Sequence, residues 1–242
     1  MHRSRLAEGK TKIVLSSGEE DKAILVFKDD ITAADGKKHS VLSGKGKINA
    51  SVTSVLLKFL ERSGLRSQLI EKIGENELLV WKLRMIPIEC VCRIHAAGHM
   101  IGIGKYLKYG QKLDEPVVEF FLKDDSLHDP MINWYHISTL RLASREDIAF
   151  MERSILSAAQ HLEDFMTERK MKLVDFKLEF GRDSHGNLLI GDELDTDSMR
   201  LWDLETSEIL DKDRFRKDMP EVFELGYWEP YRRICGGQSF HC

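Results

Sequence analysis

The chain of 242 residues is long enough for one large domain or two small lobes with a hydrophobic core of ordinary size. Apolar residues make up 42% and charged residues 31% of the sequence, which is typical of a folded protein and excludes a disordered one. The formal net charge of −4 excludes a strong basic field of the kind that attracts nucleic acid or anionic lipid.

Targeting and cysteine patterns favour a cytoplasmic protein. The N-terminal stretch MHRSRLAEGKTK lacks the apolar segment of a secretory signal, and no run reaches the ~18 apolar residues of a membrane span. The four cysteines form no CxxC pair, and Cys90 and Cys92 lie two residues apart in a strand-like run. We therefore expect reduced thiols, with Cys90 and Cys92 in the core, and neither a membrane nor nucleic acid as a partner.

The first third of the chain predicts short strands, a long polar loop and one helix. Apolar runs separated by turn residues predict strands at residues 12–15, 23–27, 68–72 and 78–83. The stretch DDITAADGKKHSVLSGKGK, residues 29–47, has no regular period and is expected to be a functional loop. An apolar stripe at helical spacing predicts a helix over 48–63, with Gly64 at its C-terminal cap.

The segment RMIP, ending at Pro87, interrupts the strand pattern. Proline and the residue before it disfavour regular structure, so we expect this segment to separate two lobes. The N-terminal lobe would span residues 1–84 and the larger C-terminal lobe residues 85–242.

The C-terminal lobe is expected to contain its own strands and helices. Strands are predicted at residues 88–94 and 117–122. The longest helical stretch is 144–170, where Ser144 is the expected N-cap and Asp147 lies in the acidic first turn. Further helices are predicted within residues 211–233.

Eight acidic side chains are concentrated between Leu173 and Asp203. Apolar and polar residues alternate over 173–180, which predicts a strand with one polar face, and LLIGDEL is the expected return strand after the turn GRDSHGN. This hairpin would place Glu179 opposite Asp192 or one position away, close enough for both carboxylates to bind one divalent cation.

Two interpretations of the acidic hairpin remain open at this point. It is either an exposed, solvated surface hairpin or a site for a divalent cation. Strict alternation puts Asp192 on the wrong face, so Gly191 is expected to mark a bulge that redirects it. Asp195 and Asp197 favour the metal site slightly, because so dense a cluster of carboxylates repels itself without a cation.

The N-terminal sequence EGKTK places Lys10 and Lys12 on one face of an expected first strand. The GKT triplet imitates the end of a Walker A loop, but Ser4 stands where that motif requires a glycine and no strand precedes it. We therefore reject a P-loop and regard the two lysines as possible neighbours of a polyphosphate.

Seven separated motifs resemble one family in order and spacing. They are EGKTK, DDITAADGKK, GKGKIN, IPIECVCR with the following AAG, FFLKDDSLHDPM, LVDFKLEFG and GDELDTDSMRLWD. Over residues 6–218 the chain resembles the SAICAR synthetases, the phosphoribosylaminoimidazole-succinocarboxamide synthases of purine biosynthesis. The resemblance implies a two-lobed α+β fold of kinase-like or ATP-grasp-like architecture, with antiparallel sheets and an ATP cleft between the lobes.

The resemblance also implies an activity. Family members are ATP-dependent ligases that phosphorylate the carboxylate of carboxyaminoimidazole ribonucleotide, and the amine of L-aspartate then displaces phosphate to form an amide. ATP and Mg²⁺ are thus the implied cofactors, and the protein's task is positioning and charge neutralisation. The family is commonly oligomeric, so a homo-oligomer is possible.

The resemblance assigns roles to residues of this chain by position. The carboxylates of Glu179 and Asp192 would hold Mg²⁺ against the phosphates. The backbone from Lys82 to Met85 would receive adenine. The side chains expected to neutralise or steer the phosphates are Lys10, Lys12, Lys123 and Lys177. Those expected to contact the imidazole substrate or its acidic groups are Asp35, Arg93, His99, Asp197 and Arg200. Those expected near the reacting groups or the incoming aspartate are Lys45 and Asp129, and the catalytic set is Lys123, Lys177 and Asp129.

One departure from the family pattern bears on the substrate. After Arg93 the sequence reads IHAAGH, so His99 stands where the family has a phosphate-binding serine. An imidazole is larger than a hydroxyl and partly charged near neutral pH. Either His99 replaces the serine as a donor, or the chain is a paralogous ligase that acts on a different carboxylate. A third possibility is a scaffold that binds nucleotide without turnover, which retention of the lysines and both carboxylates argues against.

Overall fold

The computed structural model describes residues 3–33, 36–103 and 106–236. It contains two main antiparallel sheets with helices packed against them, so the α+β class expected from the sequence is confirmed. The chain passes from the first sheet to the second between Trp81 and Arg84.

The first sheet is built from the N-terminal strands. Its strands are β1 (Arg5–Glu8), β2 (Lys12–Ser16), β3 (Lys22–Phe27), β6 (Leu69–Lys72) and β7 (Glu77–Trp81). They are ordered β1-β2-β3-β7-β6, and each neighbouring pair is antiparallel. A separate hairpin lies beside it, formed by β4 (Asp30–Ala33) and β5 (Lys38–Val41).

The second sheet carries the hairpin with the acidic residues. Its strands are β8 (Arg84–His95), β9 (Lys112–Leu122), β10 (Met131–Ile132), β11 (Met171–Arg182), β12 (Leu188–Gly191) and β13 (Met199–Asp203). The order is β10-β9-β8-β11-β12, and β13 pairs with the first half of β11. Strand β11 is therefore central: β8 lies along one edge, while β13 and β12 share the other.

The helices cover the sheets and connect them. They are α1 (Lys45–Arg62), α2 (Trp134–Thr139), α3 (Arg145–Glu168), α4 (Asp213–Arg216) and α5 (Glu229–Cys235), with 3₁₀ turns at Gly98–Ile103 and Asp125–Leu127 and a π-helical turn at Glu224–Trp228. Helix α1 contacts β3, β6 and β7 of the first sheet, whereas α3 packs against β8, β9 and β11 of the second. One continuous hydrophobic core joins these layers.

Local sequence signals explain where the two long helices begin and end. The Ser144 hydroxyl accepts a hydrogen bond from the Asp147 backbone N–H, and the Asp147 carboxylate accepts one from the Ser144 N–H. This capping box satisfies two backbone donors that the helix leaves free, and the predicted N-cap is confirmed. After α1, Gly64 adopts φ +90°, the left-handed conformation that favours glycine, at the predicted cap.

Two predictions about local structure are wrong. The stretch 29–47 is not one irregular loop, because it contains the β4–β5 hairpin and the first turn of α1. The RMIP segment does not interrupt a strand, since β8 runs through it. The pairing of β8 with β11 is irregular between Glu179 and Gly181, and this irregularity accommodates Pro87, which has no N–H to donate.

Burial of the thiols agrees with the sequence analysis, since Cys90 and Cys92 are fully buried in the core. Burial raises the pKa of both thiols, that of Cys92 to about 12. Within the described ranges, none of the helices combines the length and apolar character needed to cross a bilayer.

Candidate active site

The hairpin β11–β12 brings Glu179 and Asp192 together. Glu179 pairs with Gly191 in a regular register, so Asp192 lies one position beyond it, within the range expected from the sequence. The predicted bulge at Gly191 is wrong. Instead Asp192 adopts φ +62°, which ends the strand and redirects its side chain.

The acidic hairpin is not a solvated surface feature. Glu179 is 1% exposed and Asp192 is only partly exposed, so the interpretation as an exposed hairpin is wrong. Gly191 belongs to the same wall, because a Cβ there would lie 2.9 Å from the Met85 Cε. The side chains of Met85 and Leu83 therefore pack directly onto the backbone of the acidic hairpin.

Three lysines neutralise this carboxylate pair. Lys123 donates a hydrogen bond to Glu179 Oε2, and its Nζ lies 3.7 Å from Asp192 Oδ2. Lys177 Nζ lies 3.1 Å from Glu179 Oε1. Lys12 pairs with Asp192 Oδ1. Side chains from β2, from the end of β9 and from β11 thus converge on one point.

The environment of these charges sets their pKa values in different directions. Burial, and the neighbouring charge of Asp192, raise the pKa of Glu179. Burial would also raise the pKa of Asp192, but the ammonium groups of Lys12 and Lys123 outweigh it and hold that pKa below its usual range. Burial opposes charge on Lys177 as well, yet the carboxylates around it raise its pKa. Asp192 is therefore the more firmly ionised carboxylate of the pair.

The carboxylate pair suits a cation that is held only partly by protein. Within residues 3–33, 36–103 and 106–236, His, Cys, Asp and Glu side chains form no group of three placed to bind a metal. Mg²⁺ is commonly bound by one or two carboxylates and completes its shell with phosphate oxygens and water. Glu179 and Asp192 fit that pattern, and the Lys123 ammonium already lies between them as a positive group.

A cavity of about 160 Å³ adjoins the carboxylate pair. Its apolar walls come from Val14, Ala23, Leu25, Val80, Leu83 and Met85. Lys82, which donates its backbone N–H to Asp21 O, also lines the cavity, so the segment predicted to receive adenine lies along its rim. A flat aromatic base fits such an apolar slot, with charged groups at the end where Lys12, Lys123 and Asp192 lie.

A second cavity, of about 180 Å³, lies on the other side of Lys177 and is rich in guanidinium groups. Its lining includes Glu89, Arg93, Asp175, Lys177, Asp197, Arg200 and Arg216. Lys177 connects the two cavities, because its Nζ lies 2.7 Å from Glu89 Oε1 and 3.1 Å from Glu179 Oε1.

Buried carboxylates hold the guanidinium groups of the second cavity in place. Asp175 is 3% exposed and lies 2.6 Å from Arg93 Nη1 and 2.8 Å from Arg200 Nη1. Arg93 Nε also donates to Glu119 at 2.6 Å, and Arg200 Nε to Asp213 at 3.0 Å. Strands β8, β11 and β13 meet here, so the pairing of the sheet brings these distant residues together.

His99 does not line the second cavity but follows Gly98, which packs against two of the guanidinium groups of that cavity. The preceding Gly98 has φ +56°, and a Cβ there would lie 3.0 Å from the Nη1 atoms of both Arg93 and Arg200. Glycine at residue 98 therefore suits both the left-handed backbone and its close approach to the two guanidinium groups. His99 itself is about half exposed, and its Nδ1 lies 3.9 Å from Glu119 Oε1.

Lys45 and Asp197 form a buried ion pair behind the second cavity. Lys45 Nζ lies 2.7 Å from Asp197 Oδ2, and the Tyr227 hydroxyl donates to Asp197 Oδ1 at 2.6 Å. Burial opposes ionisation of Asp197, but the cations Lys212 and Lys45 lower its pKa below the usual range. The nearby Asp195 is fully buried, and burial together with the charge of Asp197 raises the pKa of Asp195 to about 7.

The remaining sequence-predicted residues have other partners or lie outside the described ranges. Lys10 does not share a strand with Lys12, because it lies in the turn between β1 and β2, where its Nζ is 2.6 Å from Asp125. Asp129 follows Lys123 in a loop and accepts a hydrogen bond from the Asp124 backbone N–H at 2.8 Å. Asp35 lies outside the described residues.

Sequence reasoning missed several charged residues of the two cavities. Glu89 was missed although it lies four positions before the predicted Arg93 on β8, which puts both on one face of the strand, so the signal was available in the strand pattern. Glu119 on β9 and Arg216 on α4 had no such signal, since only the tertiary fold brings them near Arg93 and Arg200.

Comparisons with known proteins give a consistent result. The family model for SAICAR synthetase matches residues 5–233. The chain is 42% identical over 229 residues to the phosphoribosylaminoimidazole-succinocarboxamide synthase of Coprothermobacter proteolyticus, covering 95% of this chain and 96% of that protein. It is 43% identical over 231 residues to the enzyme of the same name from Pyrococcus abyssi, again covering 95% and 96%.

A solved structure agrees with these sequence matches. The structure of a type-2 SAICAR synthetase in complex with ADP superimposes with a TM-score of 0.91 at 42% identity, covering 95% of this chain and 97% of that one. Matches of this extent leave no large segment of either protein unaccounted for. The chain belongs to the SAICAR synthetase family.

Proposed function

We propose that this chain is an ATP-dependent ligase that joins the carboxylate of carboxyaminoimidazole ribonucleotide to the amine of L-aspartate. The products are SAICAR, ADP and phosphate. The observation that carries the proposal is the position of Lys177, which lines the guanidinium-rich cavity and also contacts Glu179 beside the other cavity. The family and the names of its relatives support the same activity.

ATP would bind in the cavity of about 160 Å³, with adenine against the apolar walls near Met85. A related structure in complex with ADP supports a nucleotide site in this fold. The triphosphate would extend toward Lys12 and Lys123, whose ammonium groups already lie beside carboxylates at that end. Lys10 would reach the phosphates only by leaving Asp125.

Glu179 and Asp192 would hold Mg²⁺, because they are the close carboxylate pair at the phosphate end of the cavity. When bound, Mg²⁺ would neutralise charge on the transferring phosphoryl group. The lysines supply further positive charge at the same place, so the protein contributes both the ligands and the compensating cations.

The acidic substrate would occupy the second cavity. Its ribose phosphate would be bound by the guanidinium groups of Arg93 and Arg200, which are already oriented by Asp175. Arg216 lines the same cavity and adds a third guanidinium group. Planar guanidinium groups bind phosphate and carboxylate through paired hydrogen bonds, which suits this substrate.

The reaction needs the substrate carboxylate to become a better electrophile. A carboxylate oxygen attacks the γ-phosphorus, the bond to the ADP oxygen breaks, and an acyl phosphate forms. The aspartate amine then attacks the acyl carbon, and the C–O bond breaks as phosphate leaves. Lys177 lies between the two cavities and would stabilise the oxygens that are transferred. Asp129, in the loop after Lys123, would accept the proton from the amine.

The remaining assignments rest on the resemblance to the family. Asp35 and Asp197 would contact the imidazole substrate, Lys45 would act through its ion pair with Asp197, and His99 would donate to the ribose phosphate. The division into lobes 1–84 and 85–242 is supported by the change of sheet between Trp81 and Arg84. A cytoplasmic location and a homo-oligomer also belong to the proposal.

Release of ADP with a panel of substrates tests the function. ADP should form over many turnovers with ATP, carboxyaminoimidazole ribonucleotide and L-aspartate together. It should not form without ATP or the ribonucleotide, and without L-aspartate it should form at most once per active site. If ATP binds and no pairing of carboxylate and amine releases ADP, the proposal is wrong. ADP formation with other carboxylates only would instead establish a paralogous ligase, a reading that the names of the relatives do not favour.

The variant His99→Ser isolates the one departure from the family pattern. If His99 replaces the serine as a phosphate donor, the variant should retain turnover and change mainly the KM for the imidazole substrate. If the wild type does not turn over this substrate and His99→Ser does, His99 excludes the substrate from the site.

A further inference from the structure

Every oxygen of the carboxylate pair already faces an ammonium group. Lys123 donates to Glu179 Oε2 and lies 3.7 Å from Asp192 Oδ2. Lys177 lies 3.1 Å from Glu179 Oε1, and Lys12 pairs with Asp192 Oδ1. The protein thus supplies its own cations at the place where a divalent ion would bind.

These ion pairs are largely buried, so they compete strongly with a metal ion for the carboxylate oxygens. Glu179 has a side chain that is 1% exposed, and the side chains of Lys12 and Asp192 are 13% and 18% exposed. Lys12 also pairs with Glu193, whose side chain is 11% exposed. Buried charges are screened little by solvent, so a divalent ion brought next to these ammonium groups would be repelled unless they moved.

A nucleotide offers the lysines another partner. The cavity beside the carboxylate pair is lined by both Lys12 and Lys123, so phosphates bound there would compete for the same ammonium groups. Lys123 is the freer of the two, because its side chain is 44% exposed and it lies just after Leu122, the last residue of β9. Movement of its ammonium toward phosphate would uncover oxygens on both carboxylates at once.

We propose that Lys123, assisted by Lys12, is an internal counter-ion that keeps divalent cations off Glu179 and Asp192 until nucleotide phosphates draw it away. The inference rests on the proposed function and extends it to the order of binding. Metal and nucleotide then bind cooperatively through the protein, in addition to any complex that they form in solution. The exchange is one of ion-pair partners, and no covalent bond changes.

Binding of Mn²⁺, followed by the electron paramagnetic resonance signal of the free ion, tests the inference without turnover. Without nucleotide, Lys123→Met should bind Mn²⁺ at least about tenfold more tightly than the wild type, a change of about 1.4 kcal/mol. Lys123→Arg retains the charge and should bind Mn²⁺ as weakly as the wild type. Equal affinity of Lys123→Met and the wild type would overturn the inference.

Two controls locate the effect. Adding Glu179→Gln to Lys123→Met should abolish the gain in affinity, and a gain that survived would place the ion elsewhere and overturn the inference. Lys112→Met removes an exposed lysine paired with Glu163 and should leave Mn²⁺ binding unchanged. A thermal melt checks that each variant is folded.

The inference and the proposed function fail in different assays. If the protein releases no ADP with the three substrates but Lys123→Met still gains Mn²⁺ affinity, the proposed ligase function is wrong and the counter-ion inference stands. If the protein is active as a ligase but the wild type binds Mn²⁺ equally well with and without ADP, the counter-ion inference is wrong and the proposed function stands.

Discussion

Replacement of Asp175 by asparagine tests how the guanidinium-rich cavity is held together. Asp175 is 3% exposed and bridges Arg93 and Arg200, at 2.6 Å and 2.8 Å. Asparagine preserves the shape of the side chain but removes the negative charge. Both guanidinium groups donate to the same atom, Asp175 Oδ2, so the amide oxygen of asparagine can still accept from both, but each of them loses a charged partner.

The expected loss of stability follows from the partners that remain. Removing one member of a buried ion pair costs about 3–5 kcal/mol. Arg93 retains Glu119 and Arg200 retains Asp213, so we expect the lower end, about 3 kcal/mol. In a protein of this size each kcal/mol lowers Tm by about 2–4 °C, which predicts a decrease of about 6–12 °C.

Thermal and urea unfolding measure this effect, with Asp164→Asn on the exposed face of α3 as the matched control. The control should change the free energy of unfolding by less than about 0.5 kcal/mol. The KM for the imidazole substrate should rise in Asp175→Asn, because its guanidinium groups are no longer fixed. A variant with the Tm and KM of the wild type would refute the argument that Asp175 organises this cavity.

Three further predictions concern the metal ligands, pH dependence and helix capping. Glu179→Ala and Asp192→Ala should each lower kcat by at least about 10²-fold in an ADP-release assay while the circular dichroism spectrum is retained, and a near-normal rate would exclude that carboxylate as a principal ligand. The pKa of buried Asp195 is raised from 3.8 to about 7. At a pH between these two values, Asp195 is therefore protonated in the folded state and ionised in the unfolded state. Stability from this group is therefore lost as pH rises from about 4 to about 7, and Asp195→Asn should reduce the pH dependence of urea unfolding; an unchanged slope would contradict the assignment. Ser144→Ala should destabilise the protein by about 1 kcal/mol through loss of the α3 capping box, and Ser144→Asp, which can still accept from the Asp147 N–H, should not.

Elements with a strong local signal could be predicted from the sequence. The alternation in β11 and the turn after it placed Glu179 within one position of Asp192, and the structure has Glu179 opposite Gly191. The N-cap of α3 at Ser144 could also be predicted from the sequence, because capping depends on residues that are close in sequence. In both cases the interactions that decide the structure are local.

Features that depend on distant contacts could not be predicted. The alternation in β11 indicates a polar face but not whether it is exposed, and Asp175 is buried because β8 and β13 supply Arg93 and Arg200 from far along the chain. The left-handed conformation of Asp192, and not a bulge at Gly191, redirects the Asp192 side chain. Proline at residue 87 was expected to end a strand, but irregular pairing with β11 accommodates it.

Transfer of ¹⁸O from the substrate carboxylate to phosphate tests the central claim most directly. Carboxyaminoimidazole ribonucleotide labelled in both carboxylate oxygens would be turned over with unlabelled ATP and L-aspartate, and the phosphate analysed by mass spectrometry. Activation through an acyl phosphate predicts that each released phosphate carries one ¹⁸O and that the new amide retains the other. Unlabelled phosphate released together with amide product would contradict phosphoryl transfer to the carboxylate, and with it the roles assigned to Lys177, Glu179 and Asp192.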